Sequence, residues 1–306
     1  MNLIENTHVT TKTIMHWISF MFWIAIYTTS FANTPGLRMG RLTDGPSTLV
    51  DLGGILGPFQ FDKFCRFESG ETLIVDGGGY LHHLGKSGEE TVKRIADRPL
   101  NGIFFSTNKD GWVVGERGLI LHTVDGGNSW AIQESRVDVD LSGGTCVNQR
   151  ICWVVGKNGT LLKSAKGSGW VRVFTRTEKN LNSVSFLNTN NGWIAGDDGL
   201  ILHTTGDGIW VHQRAEIILY PDGPFRKRAD LRTVRFVNDT YGWVAGSGGI
   251  AKTIDGGKTW TTSYIEDSFI GLVMQDDKVG LAVTDRGCNY ATSDGGEDWH
   301  LVRCPT

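Results

Sequence analysis

Apolar and polar positions alternate along most of this chain in short runs, each closed by glycine, asparagine or aspartate. Residues 110–130, DGWVVGERGLILHTVDGGNSW, contain one full unit. The alternation predicts a strand over 112–114, a glycine turn over 115–118, a second strand over 119–123 and a tight turn closing on Trp130. The same arrangement recurs as NGWIAGDDGLILHTTGDGIW at 191–210 and YGWVAGSGGIAKTIDGGKTW at 241–260. Looser copies are CWVVGKNGTLLKSAKGSGW at 152–170 and GLAVTDRGCNYATSDGGEDW at 280–299.

The tryptophans that close these units are residues 130, 170, 210, 260 and 299, at successive intervals of 40, 40, 50 and 39. A β-rich period near 40 residues belongs to propeller blades and related arrays. Each unit holds four strand signals, as at 183–186, 193–195, 200–203 and 210–211. A sheet of four short strands must stack on its neighbours to bury both faces. The expected fold is therefore all-β: a β-propeller of four-stranded antiparallel blades. LIVDGGGYLHH at 73–83 aligns with 112–122 and marks a degenerate first blade over 61–95. Further blades are expected over 100–140, 141–180, 181–229, 230–268 and 269–304. That makes six; a seventh requires residues 33–60 to fold as more than one strand.

The turn before each closing tryptophan has its own chemistry. Thr-x-Asp-Gly-Gly-x-Ser/Thr-Trp occurs complete at Asp125/Trp130 and Asp255/Trp260, and nearly so at Asp294/Trp299. This is the Asp-box (BNR-type) pattern. The carboxylate accepts turn amides, the glycines permit left-handed backbone, and the indole packs against the blade. The boxes ending at Trp170 and Trp210 are one residue short, and the former has lost its aspartate.

Composition changes the picture little. The chain has 306 residues and a formal net charge of −3, which argues against a general nucleic-acid binder. Residues 1–32 read as a secretory signal: an apolar run over 17–27 precedes Ser30-Phe31-Ala32, small residues at the −3 and −1 positions of a cleavage site. An uncleaved anchor is the lesser alternative, since the run is short for a span. Residues 33–60 form a lead-in, with a strand over 47–52 as a candidate closing strand for the ring. The propeller then occupies 61–306. Export permits disulfides. Cys146 and Cys152 face each other across a predicted hairpin, as do Cys288 and Cys304, leaving Cys65 over. The alternative is five reduced thiols.

No catalytic constellation assembles. His83, His122 and His203 occupy equivalent third-strand positions, where Lys163 and Lys252 stand in other blades. Such residues do not converge on one metal, and a solvent-side strand role accounts for them. No CxxC zinc spacing is present, and no cofactor or small-molecule substrate is indicated. The Asp-box aspartates are accounted for by their turns. Sialidases also carry Asp boxes, so a glycan-binding or sialidase-like hydrolase is the competing reading. That chemistry needs an arginine triad, a tyrosine nucleophile and acidic partners meeting on the axis, and no such set can be assembled from Tyr80, Tyr220, Tyr241, Tyr264 and Tyr290.

The one irregular stretch is residues 215–229, AEIILYPDGPFRKRA, inserted after the fourth unit. Arg226, Lys227 and Arg228 lead into Arg232 and Arg235, with Tyr220 and Phe225 beside them. The bland reading is a solvated loop. The functional one is a docking patch for an acidic protein surface, with arginine forks for carboxylates and aromatic anchors.

Residues 101–123, 181–204 and 231–253, with their D/N-G-W-x-x-G-x-x-G-x-I-L-x-T-x-D-G-G-x-T/S-W pattern, resemble photosystem II assembly and stability factors of the Ycf48/Hcf136 type. The resemblance covers about 61–304. It implies a non-catalytic scaffold that binds an unassembled membrane-protein subunit through an arginine-rich surface, carried here onto Arg226, Lys227, Arg228, Arg232 and Arg235; a monomer is expected. Seven blades are the family's usual number. The expected location is the periplasm, or the thylakoid lumen in a photosynthetic source.

Overall fold

A computed structural model describes residues 59–61, 63–87, 89–147, 151–165, 169–206, 208–215, 218–219 and 227–304. The signal segment and the lead-in as far as residue 58, with its candidate strand at 47–52, lie outside these residues.

The first sheet holds β1 (Phe59–Phe61), β2 (Phe64–Arg66), β3 (Thr72–Val75), β4 (Tyr80–Leu84) and β5 (Glu90–Arg94) in that order. The second is β6 (Leu100–Phe105), β7 (Gly111–Gly115), β8 (Ile120–Thr123) and β9 (Ala131–Gln133). The third is β10 (Leu141–Val147), β11 (Ile151–Gly156), β12 (Thr160–Ala165) and β13 (Trp170–Val173). The fourth is β14 (Leu181–Phe186), β15 (Gly192–Gly196), β16 (Leu200–Thr204) and β17 (Val211–Arg214). A two-stranded hairpin, β18 (Ile218–Leu219) and β19 (Lys227–Arg228), occupies the insertion. The last sheet has six strands: β20 (Leu231–Phe236), β21 (Gly242–Thr253), β22 (Thr261–Met274), β23 (Gly280–Thr284), β24 (Asn289–Thr292) and β25 (His300–Arg303). All pairings are antiparallel between strands adjacent in sequence, as short hairpin turns dictate.

The expectation of six blades, or seven, is corrected by this arrangement: among the described residues there are five blade sheets. The last two sequence units share one sheet. Strand β22 pairs with β21 through its first half and with β23 through its second. The reason is local. Only Ile265, Glu266 and Asp267 stay out of the pairing with β21 before Ser268 pairs with Ser247 and Phe269 with Thr284, and no glycine or proline interrupts the strand there. Between other units the chain has room to turn, as at 134–140 and 174–180.

The inner strands β6, β10, β14, β20 and the second half of β22 pack side by side around an axis, and β1 touches both β22 and β6. Apolar clusters fill the spaces between neighbouring sheets. In β15, Ile194 packs back onto Trp153, Val155 and Leu161, whereas Trp193 and Ala195 pack forward onto Leu231, Val234 and Phe236. The strand period of two thus serves two neighbours at once. A similar cluster, with Trp243, Ala245, Phe269 and Leu272, lies between the halves of the six-stranded sheet.

Candidate functional site

The Asp boxes are structural clasps. In the turn after β8, the Thr123 hydroxyl donates to Asp125 Oδ1 at 2.8 Å and accepts the Gly127 N–H at 2.9 Å. Asp125 accepts the Ser129 N–H at 2.9 Å and the Ser129 hydroxyl at 2.6 Å. Gly126 and Gly127 adopt φ of 78° and 94°, the left-handed region in which glycine carries no Cβ penalty. The box at Asp255 repeats this with Thr253 and Thr259. The Ser129 and Thr259 hydroxyls, followed by other donors in the turn, hold Asp125 and Asp255 at a pKa of about 2. At Asp294 burial pushes the carboxyl up, but the hydrogen bonds from Thr292 and turn amides more than offset it, and the net shift is downward.

The closing tryptophans complete the clasp in two boxes and not in the third. Trp130 Nε1 folds back onto the Gly127 carbonyl and Trp260 Nε1 onto the Gly257 carbonyl, both at 3.0 Å. Trp299 differs: its Nε1 is buried with no acceptor among the described residues. The equivalent carbonyl, that of Gly296, accepts the Ser263 hydroxyl of β22 instead, at 3.5 Å. Asp298 also stands where the other boxes have Ser or Thr, so its N–H reaches Asp294 Oδ1 at 3.1 Å without a hydroxyl to add a second bond. The Trp299 ring keeps only its packing role, against the cluster of Trp243, Ala245 and Phe269.

The Asp255 box also grips the preceding sheet, and the Asp294 box grips the first half of its own six-stranded sheet. The Gly256 carbonyl accepts Trp193 Nε1 at 3.3 Å, and the Gly295 carbonyl accepts Trp243 Nε1 at 2.9 Å. Where the next box is degenerate the tryptophan loses this acceptor. Trp112 Nε1 turns instead to Gln133 Oε1 at 3.2 Å, and Trp153 Nε1 is buried with none among the described residues. The shared role of the box threonine went unread in the sequence, although Thr stands at that position in every intact box.

The repeat-position histidines are not plain solvent-side residues. His122 and His203 stack on Trp112 and Trp193, with ring centroids 4.7 and 4.5 Å apart. Their Nε2 atoms bond Asp110 Oδ1 at 2.6 Å and Asn191 Oδ1 at 2.8 Å. Lys163 lies over Trp153 instead, 4.6 Å from the ring centroid. His83 pairs in register with Thr91 and Leu73. Among the described residues no group of three acidic, histidine or cysteine side chains could hold a metal. Cys146–Cys152 and Cys288–Cys304 are disulfide-bonded, and Cys65 is free of any disulfide and buried.

The basic candidates separate into three places. Tyr220, Phe225 and Arg226, and the side chain of Lys227, lie outside the described residues. Arg228 ends the insertion hairpin on the face where the inner strands begin, against Gly199 of the β15–β16 turn. Asp198 N–H donates to Asp230 Oδ1 and Gly199 N–H to the Ala229 carbonyl, so this end of the insertion is tied to the fourth sheet. Arg232 is exposed on the same face, and a repeated irregularity puts it there. The inner strands β6, β10, β14 and β20 each shift register after their first residue, leaving Asn101, Ser142, Asn182 and Arg232 out of the pairing. Such a bulge re-aims its extra side chain. Asn101 and Asn182 use the freedom to donate to the next inner strand, at Leu141 O and Leu231 O. Arg232 has no such partner among the described residues and projects outward. No sequence motif announces the bulge; only the pairing register reveals it.

Arg235 is elsewhere. Three residues further along β20, it lines a cavity of about 40 Å³ on the axis with Gly143, Thr145, Asn182, Ser183 and Thr233. No Asp or Glu lines this cavity. Burial lowers the guanidinium pKa from its ordinary value.

Ringed sheets, inter-sheet cores and Asp-box clasps define a BNR-repeat β-propeller. Residues 87–175, 132–219 and 165–303 match the family model described as photosynthesis system II assembly factor YCF48, and the chain belongs to that family. Its structure is similar to that of a YCF48 bound to a D1 peptide, with 16% identity, a TM-score of 0.59, and coverage of 80% of this chain and 83% of that one. It is similar also to YCF48 from Cyanidioschyzon merolae, at 16% identity and a TM-score of 0.56, covering 80% and 84% of the two chains. An ancestral GH74 enzyme aligns at 17% identity and a TM-score of 0.54 over 66% of this chain but 31% of the enzyme. No curated protein matches the chain in sequence.

Proposed function

We propose that this chain is an exported, non-catalytic scaffold that binds a protein partner, an unassembled membrane-protein subunit, and assists assembly of a photosystem II-like or envelope complex. Membership of the YCF48 family carries the proposal, supported by the likeness to a YCF48 bound to a D1 peptide. The docking surface is the face bearing Arg228 and Arg232, where a bulge and an inserted hairpin break an otherwise regular ring. Guanidinium forks at a surface suit carboxylates on a partner, and such contacts raise association rate and specificity more than raw affinity. The signal-like segment supports delivery to the periplasm or thylakoid lumen, where the propeller acts as a monomer.

A glycoside hydrolase would need two carboxyl groups flanking a sugar-sized site, roughly 5–9.5 Å apart. The axial cavity offers one arginine and no carboxylate. Binding of a labelled D1 peptide, followed by fluorescence anisotropy, tests the proposal. Saturable binding weakened at least tenfold by R228E/R232E supports it. Unchanged affinity in that variant removes the patch, and absence of binding by the wild type removes a D1-like partner.

A further inference from the structure

We infer that the axial cavity is a binding site for a compact monovalent anion, a halide or a carboxylate group, held by the Arg235 guanidinium. The first support is an uncompensated charge. The Arg235 side chain makes no hydrogen bond or ion pair to any described residue, and the cavity walls carry no acid. An arginine does not escape burial by losing its proton. Arg235 keeps part of its surface exposed, so its charge is only partly drawn out of water, and a small counter-ion entering from solvent offsets the remaining cost. Crowding by protein depresses the guanidinium pKa, with burial as the only cause and no carboxylate acting against it.

The second support is the complement of donors. Ser183 Oγ accepts the Val234 N–H at 3.3 Å, which leaves its own proton to point elsewhere. Thr145 and Thr233 bring further hydroxyls to the same walls, and Gly143 and Gly144 bring no side chain at all. Asn182 is committed, since its amide donates to Asp197 Oδ1 and Leu231 O. A guanidinium with three hydroxyls around it is an anion's coordination shell rather than a cation's.

The third support is size. The cavity of about 40 Å³ has room for roughly three waters, taking about 10–15 Å³ for each. That admits chloride, bromide or a carboxylate head and excludes a sugar ring or a nucleotide. The inference is independent of partner docking, which rests on Arg228 and Arg232.

The test is a crystal of the wild-type protein soaked in bromide, together with thermal unfolding in rising bromide or formate at constant ionic strength, balanced with a bulky sulfonate. An anomalous peak beside Arg235 and a saturable rise in Tm that R235Q abolishes are expected. A response to bromide alone identifies a halide site, and a response to formate as well identifies a carboxylate site. If R235Q does not fold, S183A/T233V, which keeps the guanidinium, should raise the half-saturating concentration roughly tenfold through loss of donors to a charged ligand. Absence of the peak, or a Tm response unaltered in either variant, overturns the inference. R232E should leave the anion response intact, which separates this site from the docking face.

Discussion

The indole of Trp193 and the ring of Phe236 lie nearly parallel, with centroids 3.6 Å apart and an interplanar angle of 7°, although they belong to different sheets. Trp260 meets the same Phe236 ring edge-on at 6.1 Å. Trp153, Phe186 and Trp210 repeat the arrangement one sheet earlier. The glycines before Trp193 and Trp243 make room for these stacks, since a Cβ at Gly192 or Gly242 would run into the ring of Phe186 or Phe236. Truncation of Phe236 therefore removes contacts on both sides of one inter-sheet joint. Phe236→Ala should cost about 3–5 kcal/mol in denaturant unfolding, and Phe236→Leu distinctly less. A cost below about 1 kcal/mol for the alanine variant would mean that the joint contributes little.

The Asp boxes set the acid limit of the fold. Asp125 and Asp255 titrate at about 2 in the folded protein against an ordinary 3.8. A depressed carboxylate contributes stability that is complete above its unfolded pKa and lost as pH falls through the folded one. Stability should thus decline from pH 3.8 toward about 2, and D125N/D255N should flatten that decline. Chemical denaturation across this window, variant against wild type, is the measurement.

His82 works at the opposite end of the scale. Its Nε2 meets Asp76 Oδ2 at 3.1 Å and its Nδ1 meets Glu90 Oε1 at 3.0 Å, so both ring nitrogens face carboxylates. The bond to Asp76, then that to Glu90, raises its pKa above 6.5 against the opposing effect of burial. This contribution is complete below pH 6.5 and disappears as pH rises through the folded value. NMR titration should place the His82 midpoint above 6.5 in the wild type and lower in D76N. An unmoved midpoint would show that Asp76 does not hold the imidazolium.

The Cys146–Cys152 bridge spans adjacent strands in register, closing a separation of six residues. Cys288–Cys304 ties the C-terminal outer strand β25 to the residue before β24 across sixteen. Chain-entropy reasoning gives each about 2–3 kcal/mol. C304S should show faster amide exchange over residues 300–303 than elsewhere. Uniform exchange would place the outer strand's anchorage in its ladder alone.

The sequence on its own determined the strand units, their turns and their shared ancestry with the YCF48 family. Those features are local: strand alternation has a period of two, and Asp-Gly-Gly turns bond within a few residues of themselves. The Thr-x-Asp-Gly-Gly pattern at 123–127 and 253–257 therefore foretold its own geometry. What lies between units was not legible in this way. The indole nitrogen of Trp299 has no acceptor among the described residues, while the Gly296 carbonyl accepts Ser263, a residue from another strand that the box motif does not contain. The continuity of β22, which reduced the expected blade count, depends on how three residues, Ile265 to Asp267, sit between the two halves of one sheet. The release of Arg232 from the ladder depends on a bulge in the pairing of β20. Strand alternation alone puts two residues three positions apart, such as Arg232 and Arg235, on opposite faces but does not say which face meets solvent. Only the tertiary structure sent one outward and the other to the axis, because inner-strand register is decided by packing against neighbouring sheets far away along the chain.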